Sequence, residues 1–172
     1  TGQQNVLNLI STDGGNGKSY LAQELENYWI TLGLQVRKLT YDEDFLADDS
    51  RYIMSKSIKD LCPDLLPDEI AIIEYPNLNE HSIPSALLNL GTVNLLVTRA
   101  NRTWKDVDQK ALKELQSQLE NKDSLFMYLT ESQRYAVEEF VGQLPPYTKF
   151  NNFVYRLSQM GLTATENSHA KL

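Results

Sequence analysis

The sequence predicts an α/β domain: a mostly parallel sheet of about five strands held between helices as a three-layer sandwich. Short apolar runs alternate with stretches of helical spacing along the chain, and a glycine-rich turn follows the first run and opens the first helix. The length of 172 residues and hydrophobic content of 41% suit one compact core and leave no room for a second full domain.

The elements follow in order. Val6-Leu7-Asn8-Leu9-Ile10 reads as a buried strand that stops at Ser11-Thr12-Asp13-Gly14-Gly15. From Lys18, the apolar positions Leu21, Leu25, Tyr28, Trp29 and Leu32 recur at helical spacing, and Gly33 supplies the stop. Gln35 to Leu39 is a second strand, delivering Thr40-Tyr41-Asp42-Glu43-Asp44 to the sheet's C-terminal edge. Arg51 to Leu61 reads as a helix. Ile70 to Ile73 is a buried strand ending at Glu74-Tyr75-Pro76, where proline is expected to stop it. Ser82 is placed to cap a helix running to Leu90. Val93 to Thr98 is a fourth strand, Lys105 to Leu119 an amphipathic helix, Leu125 to Leu129 a fifth strand, and Ser132 to Val141 a last helix. Strands alternating with helices imply right-handed crossovers and a ligand crevice at the strands' C-terminal ends. Residues 1–144 are expected to form the α/β domain. Residues 145–172 form a tail in which Phe150, Phe153, Val154, Leu157 and Met160 share one helical face, expected to pack on the parent domain.

Composition excludes several classes. A net charge of −7 and a pI near 4.8 argue against a surface that holds nucleic acid or anionic membrane by bulk basicity. A single cysteine, Cys62, excludes an internal disulfide framework and reads as a packing residue; with two scattered histidines there is no zinc-type cluster. No run approaches the ~20 apolar residues of a membrane span, and the N-terminus lacks a signal-peptide pattern. The expectation is a cytoplasmic domain in a reducing compartment. A start at Thr1 rather than Met reads as a piece of a longer protein, with Lys171-Leu172 as an appended end.

Thr12-Asp13-Gly14-Gly15-Asn16-Gly17-Lys18-Ser19 matches the phosphate-loop pattern G-x-x-x-x-G-K-[ST] except at Thr12. Glycines let backbone amides approach phosphates closely, and the helix start adds partial positive charge. Lys18 is placed for the β- and γ-phosphates, and the Ser19 hydroxyl suits Mg²⁺. Asp13, Gly14, Gly15, Asn16, Gly17, Lys18, Ser19 and Tyr20 are therefore the candidate binding set for ATP or ADP. The Asp13 carboxylate is expected to turn outward or to meet a neighbouring subunit, since it would repel phosphate.

Phosphoryl transfer also needs carboxylates near the metal, and neighbouring strand ends supply them. Glu74 closes the third strand and Asp42 the second. With Lys18 they are the candidate catalytic residues, and with Ser19 the candidate Mg²⁺ contacts. Asp44 belongs with the exposed acidic loop. Arg99 and Arg102, after the fourth strand, are placed to contact phosphate or an acidic partner surface. Thr130 and Glu131, after the fifth, are placed where the base is expected.

With these strand ends in place, the sequence resembles the cytoplasmic P-loop domain of the bacterial tyrosine kinases attached to exopolysaccharide chain-length regulators, and more distantly the MinD/ParA-type ATPases. The resemblance rests on Thr12 to Ser19, on Val36-Arg37-Lys38-Leu39-Thr40-Tyr41-Asp42 at the second acidic motif, and on Ile72-Ile73-Glu74-Tyr75-Pro76 at the Asp-x-Pro strand end. Asn94 to Ala100 is similar to the next strand, and Val141 to Pro146 with Phe150 to Leu162 to the end of such domains. It implies an ATP- and Mg²⁺-dependent P-loop domain working with a polysaccharide-export membrane protein at the inner membrane face, as a homo-oligomer, without nucleic acid. The departures are specific. Thr40 and Glu74 replace aspartates of the second and third motifs, Asp13 replaces the signature lysine of the MinD/ParA relatives, and the tail holds only Tyr147 and Tyr155. Three readings follow: a tyrosine autokinase or ATPase with altered motifs, a non-catalytic module whose nucleotide controls assembly, and, less favoured, a small-metabolite kinase.

Overall fold

The computed structural model of the protein describes residues 5–133. The chain divides into a unit Thr1–Glu131 and a unit Ser132–Leu172. The expectations beyond residue 133, namely the helix to Val141, the boundary at 144 and the tail with Tyr147, Tyr155 and Phe150 to Leu162, lie outside the described residues.

Among the described residues nine α and β elements follow one another: β1 (Val6–Ser11), α1 (Lys18–Thr31), β2 (Val36–Thr40), α2 (Ser50–Ile53), β3 (Ile70–Asn77), α3 (Ser85–Leu90), β4 (Val93–Arg99), α4 (Asp106–Gln118) and β5 (Leu125–Thr130). Among the described residues the strands form one five-stranded sheet in the order β2-β3-β1-β4-β5, and every pairing is parallel. This is the α/β sandwich that the alternation predicts.

Side-chain alternation along the strands sorts the core onto two faces. Leu7 and Leu9 of β1, Ile72 of β3 and Val97 of β4 pack against Leu21 and Ala22 of α1, with Leu25 and Trp29 partly covered. Val6, Ile10, Ile73 and Leu96 point the other way, toward Leu87 and Leu88 of α3, Leu115 of α4 and the 45–65 segment through Phe45, Tyr52, Ile58 and Leu65. Each fully buried Leu or Ile contributes about 1.5–3 kcal/mol of transfer free energy, so these interior rows fix the strand register. Asn8 interrupts the apolar row. Its Nδ2 donates to Asn94 Oδ1 at 2.8 Å and to the carbonyl oxygens of Leu87 and Leu88 at 3.3 and 3.4 Å, tying the sheet to α3. Cys62 is buried and unbridged, as a packing residue should be.

The topology selects one place for a ligand. The chain leaves β1 toward β2 and β3 on one side, then crosses to β4 and β5 on the other. The connections diverge at the C-terminal end of β1, the switch point at which open parallel sheets form a crevice. The Thr12–Ser19 loop lies there.

Several element bounds differ from expectation. No helix spans Arg51 to Leu61; α2 stops at Ile53, and a single 3-10 turn covers Ile58–Asp60. The Asp60 carboxylate accepts from the amides of Lys56 and Ser57 at 2.8 and 2.9 Å, a local alternative to helical bonding. The helix expected from Ser82 begins only at Ser85. Pro84 disfavours helical backbone at Ile83, and the Ser82 carbonyl is occupied by the Tyr52 hydroxyl at 3.2 Å. Pro76 does not end β3, which runs on to Asn77. The β1–β3 register slips between Leu9↔Glu74 and Ser11↔Asn77, and β2 pairing has already ended at Thr40↔Glu74, so Pro76 sits in a bulge that asks for no ladder donor. No described helix is long and apolar enough to cross a membrane.

Candidate functional site

The loop between β1 and α1 owes its shape to two glycines. Gly15 and Gly17 adopt φ of 67° and 88°, a left-handed region that side chains resist. Space is tight as well: a Cβ on Gly15 would lie 2.6 Å from Arg99 Nη2 and would have to displace that guanidinium, and one on Gly17 would lie 3.3 Å from Thr130 Cγ2. Two strand ends hold the loop from outside. Arg99 Nε donates to the Gly15 carbonyl at 2.7 Å, and the Thr130 hydroxyl donates to the Asn16 carbonyl at 3.0 Å.

With two of its carbonyls engaged by these strand ends, the loop keeps its amides uncommitted. Among the described residues the backbone N–H groups of Gly15, Asn16, Gly17, Lys18 and Ser19 find no protein acceptor, and no side chain caps α1. Asn16 is 3% exposed, and its Oδ1 is also without a partner while Nδ2 donates to the Asp13 carbonyl. Consecutive free amides at the start of a fourteen-residue helix form a concave anion site.

The loop opens into a cleft of about 560 Å³. All the candidate binding, metal and catalytic residues line it: Asp13 to Tyr20 from the loop and first helical turn, Asp42 from the end of β2 and Glu74 from β3. Thr40, Tyr41, Glu43, Asn77 and Glu80 complete the wall.

Lys18 and Ser19 are already engaged. Lys18 Nζ donates to Ser11 Oγ and the Tyr75 carbonyl, both at 2.8 Å, and to Asn77 Oδ1 at 3.1 Å. Burial lowers its pKa from 10.5 to about 8, opposed by the charges of Glu74 and Glu80. The Ser19 hydroxyl donates to Glu74 Oε1 at 2.6 Å. Ser19 and Glu74 thus stand together where a metal ion is expected. Among the described residues no group of three or more His, Cys, Asp or Glu side chains gathers closely enough to hold a metal.

Asp42 stands at the cleft mouth with φ of 71°, in a turn closed by its amide donating to the Phe45 carbonyl at 3.0 Å. Burial, with the neighbouring Asp42 charge, raises the pKa of the Tyr41 hydroxyl beside it. Asp44, in the exposed acidic loop as expected, accepts from the Thr40 amide at 2.7 Å and covers the outer edge of β2.

Arg99 and Arg102 brace the loop and do not line the cleft. Arg102 Nη2 grips both oxygens of Asp108 at 2.8 and 2.9 Å, lies 3.4 Å from Asp13 Oδ2, and its Nη1 donates to Thr12 Oγ1 at 3.4 Å. Burial would raise the Asp108 pKa, yet bonds from Thr12, the Lys105 amide and Asn79, together with the Arg102 charge, hold it below the usual carboxylate range. Thr12, the one departure from the loop pattern, is therefore a tether between loop and α4. Asn77, Ser11 and Asp108 were missed by sequence reasoning. Asn77 was hidden behind a proline expected to end its strand, and Asp108 reads as an ordinary first-turn acid of an exposed helix. Thr130 touches the loop backbone through its hydroxyl, and Glu131 accepts from Asn101 Nδ2 at 2.9 Å.

No family model and no curated protein sequence matches the chain.

Proposed function

We propose that the cleft binds a nucleoside di- or triphosphate, ATP or ADP with Mg²⁺, through the Gly15–Ser19 amides and Lys18. The observation that carries this reading is the row of unpartnered amides at the switch point, beside a buried lysine and a hydroxyl–carboxylate pair. Mg²⁺ would supply charge neutralisation across the phosphates, with Ser19 and Glu74 as its protein contacts and Asp42 reaching it through water. The chain's own part is to cradle phosphate, orient it with Lys18, and hold the loop rigid through Arg99, Arg102 and Thr130.

The resemblance extends the proposal to a domain of a polysaccharide-export system, at the inner face of the membrane and partnered by its membrane protein or by further copies. Within it, control of assembly by nucleotide occupancy is favoured over rapid phosphoryl transfer. Thr40 supplies no carboxylate at the end of β2, and Asp42 stands two residues beyond it, exposed. Titration calorimetry with ADP and ATP in Mg²⁺ tests the binding reading: wild-type chain should bind and Lys18→Ala should not. Heat changes identical in the two proteins would end it. Transfer of labelled phosphate to tyrosine or water beyond the Lys18→Ala control would restore the kinase or ATPase reading.

A further inference from the structure

Asp13 departs from what a phosphate loop needs, and its surroundings make the departure a fixed one. Its Oδ1 accepts from the Gly14 amide at 2.8 Å, occupying an amide next to the open row from Gly15 to Ser19. Its Oδ2 faces Arg102 Nη2 at 3.4 Å. Arg102 has little freedom to leave, because the same nitrogen is clamped between the oxygens of Asp108, which is 1% exposed. The carboxylate is therefore held at the loop's first turn, half-exposed, on a residue that lines the cleft.

The end of the cleft it occupies follows from Lys18. Ser11 Oγ accepts from Lys18 Nζ at 2.8 Å and donates to the Asp13 carbonyl oxygen at 2.9 Å, so the ammonium and the Asp13 backbone flank the same end of the loop. A lysine at this position serves the outer phosphates, while the helix start serves the inner ones. The outermost phosphate is thus the one that approaches Asp13. Among the described lining residues Lys18 is the sole cation, facing Asp13, Asp42, Glu43, Glu74 and Glu80. Each added phosphate charge adds to the repulsion from these carboxylates.

We propose that Asp13 makes the cleft selective for a diphosphate over a triphosphate, by standing as a fixed anion where the terminal phosphate would lie. The inference rests on the phosphate-binding reading above and names its ligand class: a nucleoside diphosphate, with the open amides from Gly15 to Ser19 matching two phosphate groups. Nucleotide occupancy would then report the diphosphate state of the pool.

The test is calorimetric titration of the whole chain with ADP and with ATP, each in excess Mg²⁺. Wild type should bind ADP more tightly than ATP by on the order of fivefold. Asp13→Asn, which keeps an acceptor for the Gly14 amide and removes the charge, should bring the ratio close to one by strengthening ATP binding. Asp123→Asn, an equal charge change at an exposed residue before β5, should leave the ratio as it was. Should Asp13→Asn fold poorly, salt supplies the second measurement: the wild-type preference should shrink between about 0.05 and 0.5 M salt as the carboxylate is screened. Equal wild-type affinities, or an Asp13→Asn effect that is the same for both ligands, would overturn the role of Asp13 while leaving phosphate binding intact. A wild-type chain that binds neither ligand would overturn both readings.

Discussion

The Ser19 hydroxyl and the Glu74 carboxylate meet at 2.6 Å across the base of the cleft, joining the first turn of α1 to the interior of β3. A hydroxyl and a carboxylate in direct contact can open to admit a cation between them, exchanging one hydrogen bond for two metal contacts or for a metal-bound water. Ser19→Ala should therefore abolish most of the gain in nucleotide affinity that Mg²⁺ gives, about tenfold, while changing stability by only about 1 kcal/mol. Glu74→Gln should raise affinity measured without Mg²⁺, because it removes a charge facing phosphate, and should flatten the Mg²⁺ dependence. Nucleotide titrations in Mg²⁺ and in chelator separate the two effects.

Lys18 carries a pH signature. Its pKa falls from 10.5 in the unfolded chain to about 8 in the fold, chiefly through burial. Between those values the unfolded chain holds a proton that the folded chain has released, so stability rises with pH across the window and the burial penalty is fully present below it. The full shift corresponds to an upper limit of about 3 kcal/mol. Buried Cys62 and Tyr52 have raised pKa values and act in the opposite direction at high pH, so the measurable quantity is the difference between wild type and Lys18→Met. Urea denaturation from pH 7 to 9.5 should show wild type gaining stability relative to Lys18→Met. A pH-independent difference would mean that the ammonium stays protonated.

The fold was legible because buried parallel strands are continuous apolar runs. Val6 to Ile10 and Ile70 to Ile73 have no amphipathic alternative, and the glycine-rich turn fixes which end of the sheet bears the site. The loop residues were legible because glycine at 15 and 17 is imposed by backbone shape, and that requirement is local. Long-range side-chain chemistry was not legible. Nothing near Arg102 indicates that it reaches the loop, since its partners Thr12 and Asp108 come from separate elements. The helix expected over 51–61 failed because Asp60 turns back on Lys56 and Ser57, a bond that periodicity does not register.

Asp108 and Arg102 form the most deeply buried ion pair described, with side chains 1% and 17% exposed. Asp108→Ala leaves a guanidinium largely out of water and frees Thr12 and Asn79, so it should cost about 3 kcal/mol. Asp64→Ala, which breaks an ion pair whose side chains are 72% and 38% exposed, should cost less than about 1 kcal/mol. Because the Asp108 pKa is depressed, its contribution is present above the unfolded value of 3.8 and is lost as pH falls through the lower folded value. Equal costs in urea denaturation at pH 7 would show that the pair contributes no more than a surface contact.

Tyr75 presents the opposite case, a buried polar group that the fold would do better without. It is 0% exposed, its ring packs 6.3 Å from Phe45 and 6.4 Å from Tyr52, and its hydroxyl finds no partner among the described residues. Tyr52, its neighbour in the same cluster, does place its hydroxyl, on the Ser82 carbonyl at 3.2 Å. Tyr75→Phe keeps the ring and removes only the orphaned hydroxyl, so it should raise stability by up to about 1–2 kcal/mol, whereas Tyr52→Phe should lower it by about 1 kcal/mol. Burial raises the Tyr75 pKa well above the ordinary tyrosine value of 10.0, so the gain from Tyr75→Phe should widen as pH rises past that value, where only the unfolded tyrosine ionises. Thermal melts of the two variants at pH 7, repeated near pH 10.5, test both signs. A destabilised Tyr75→Phe would reveal an ordered water on that hydroxyl.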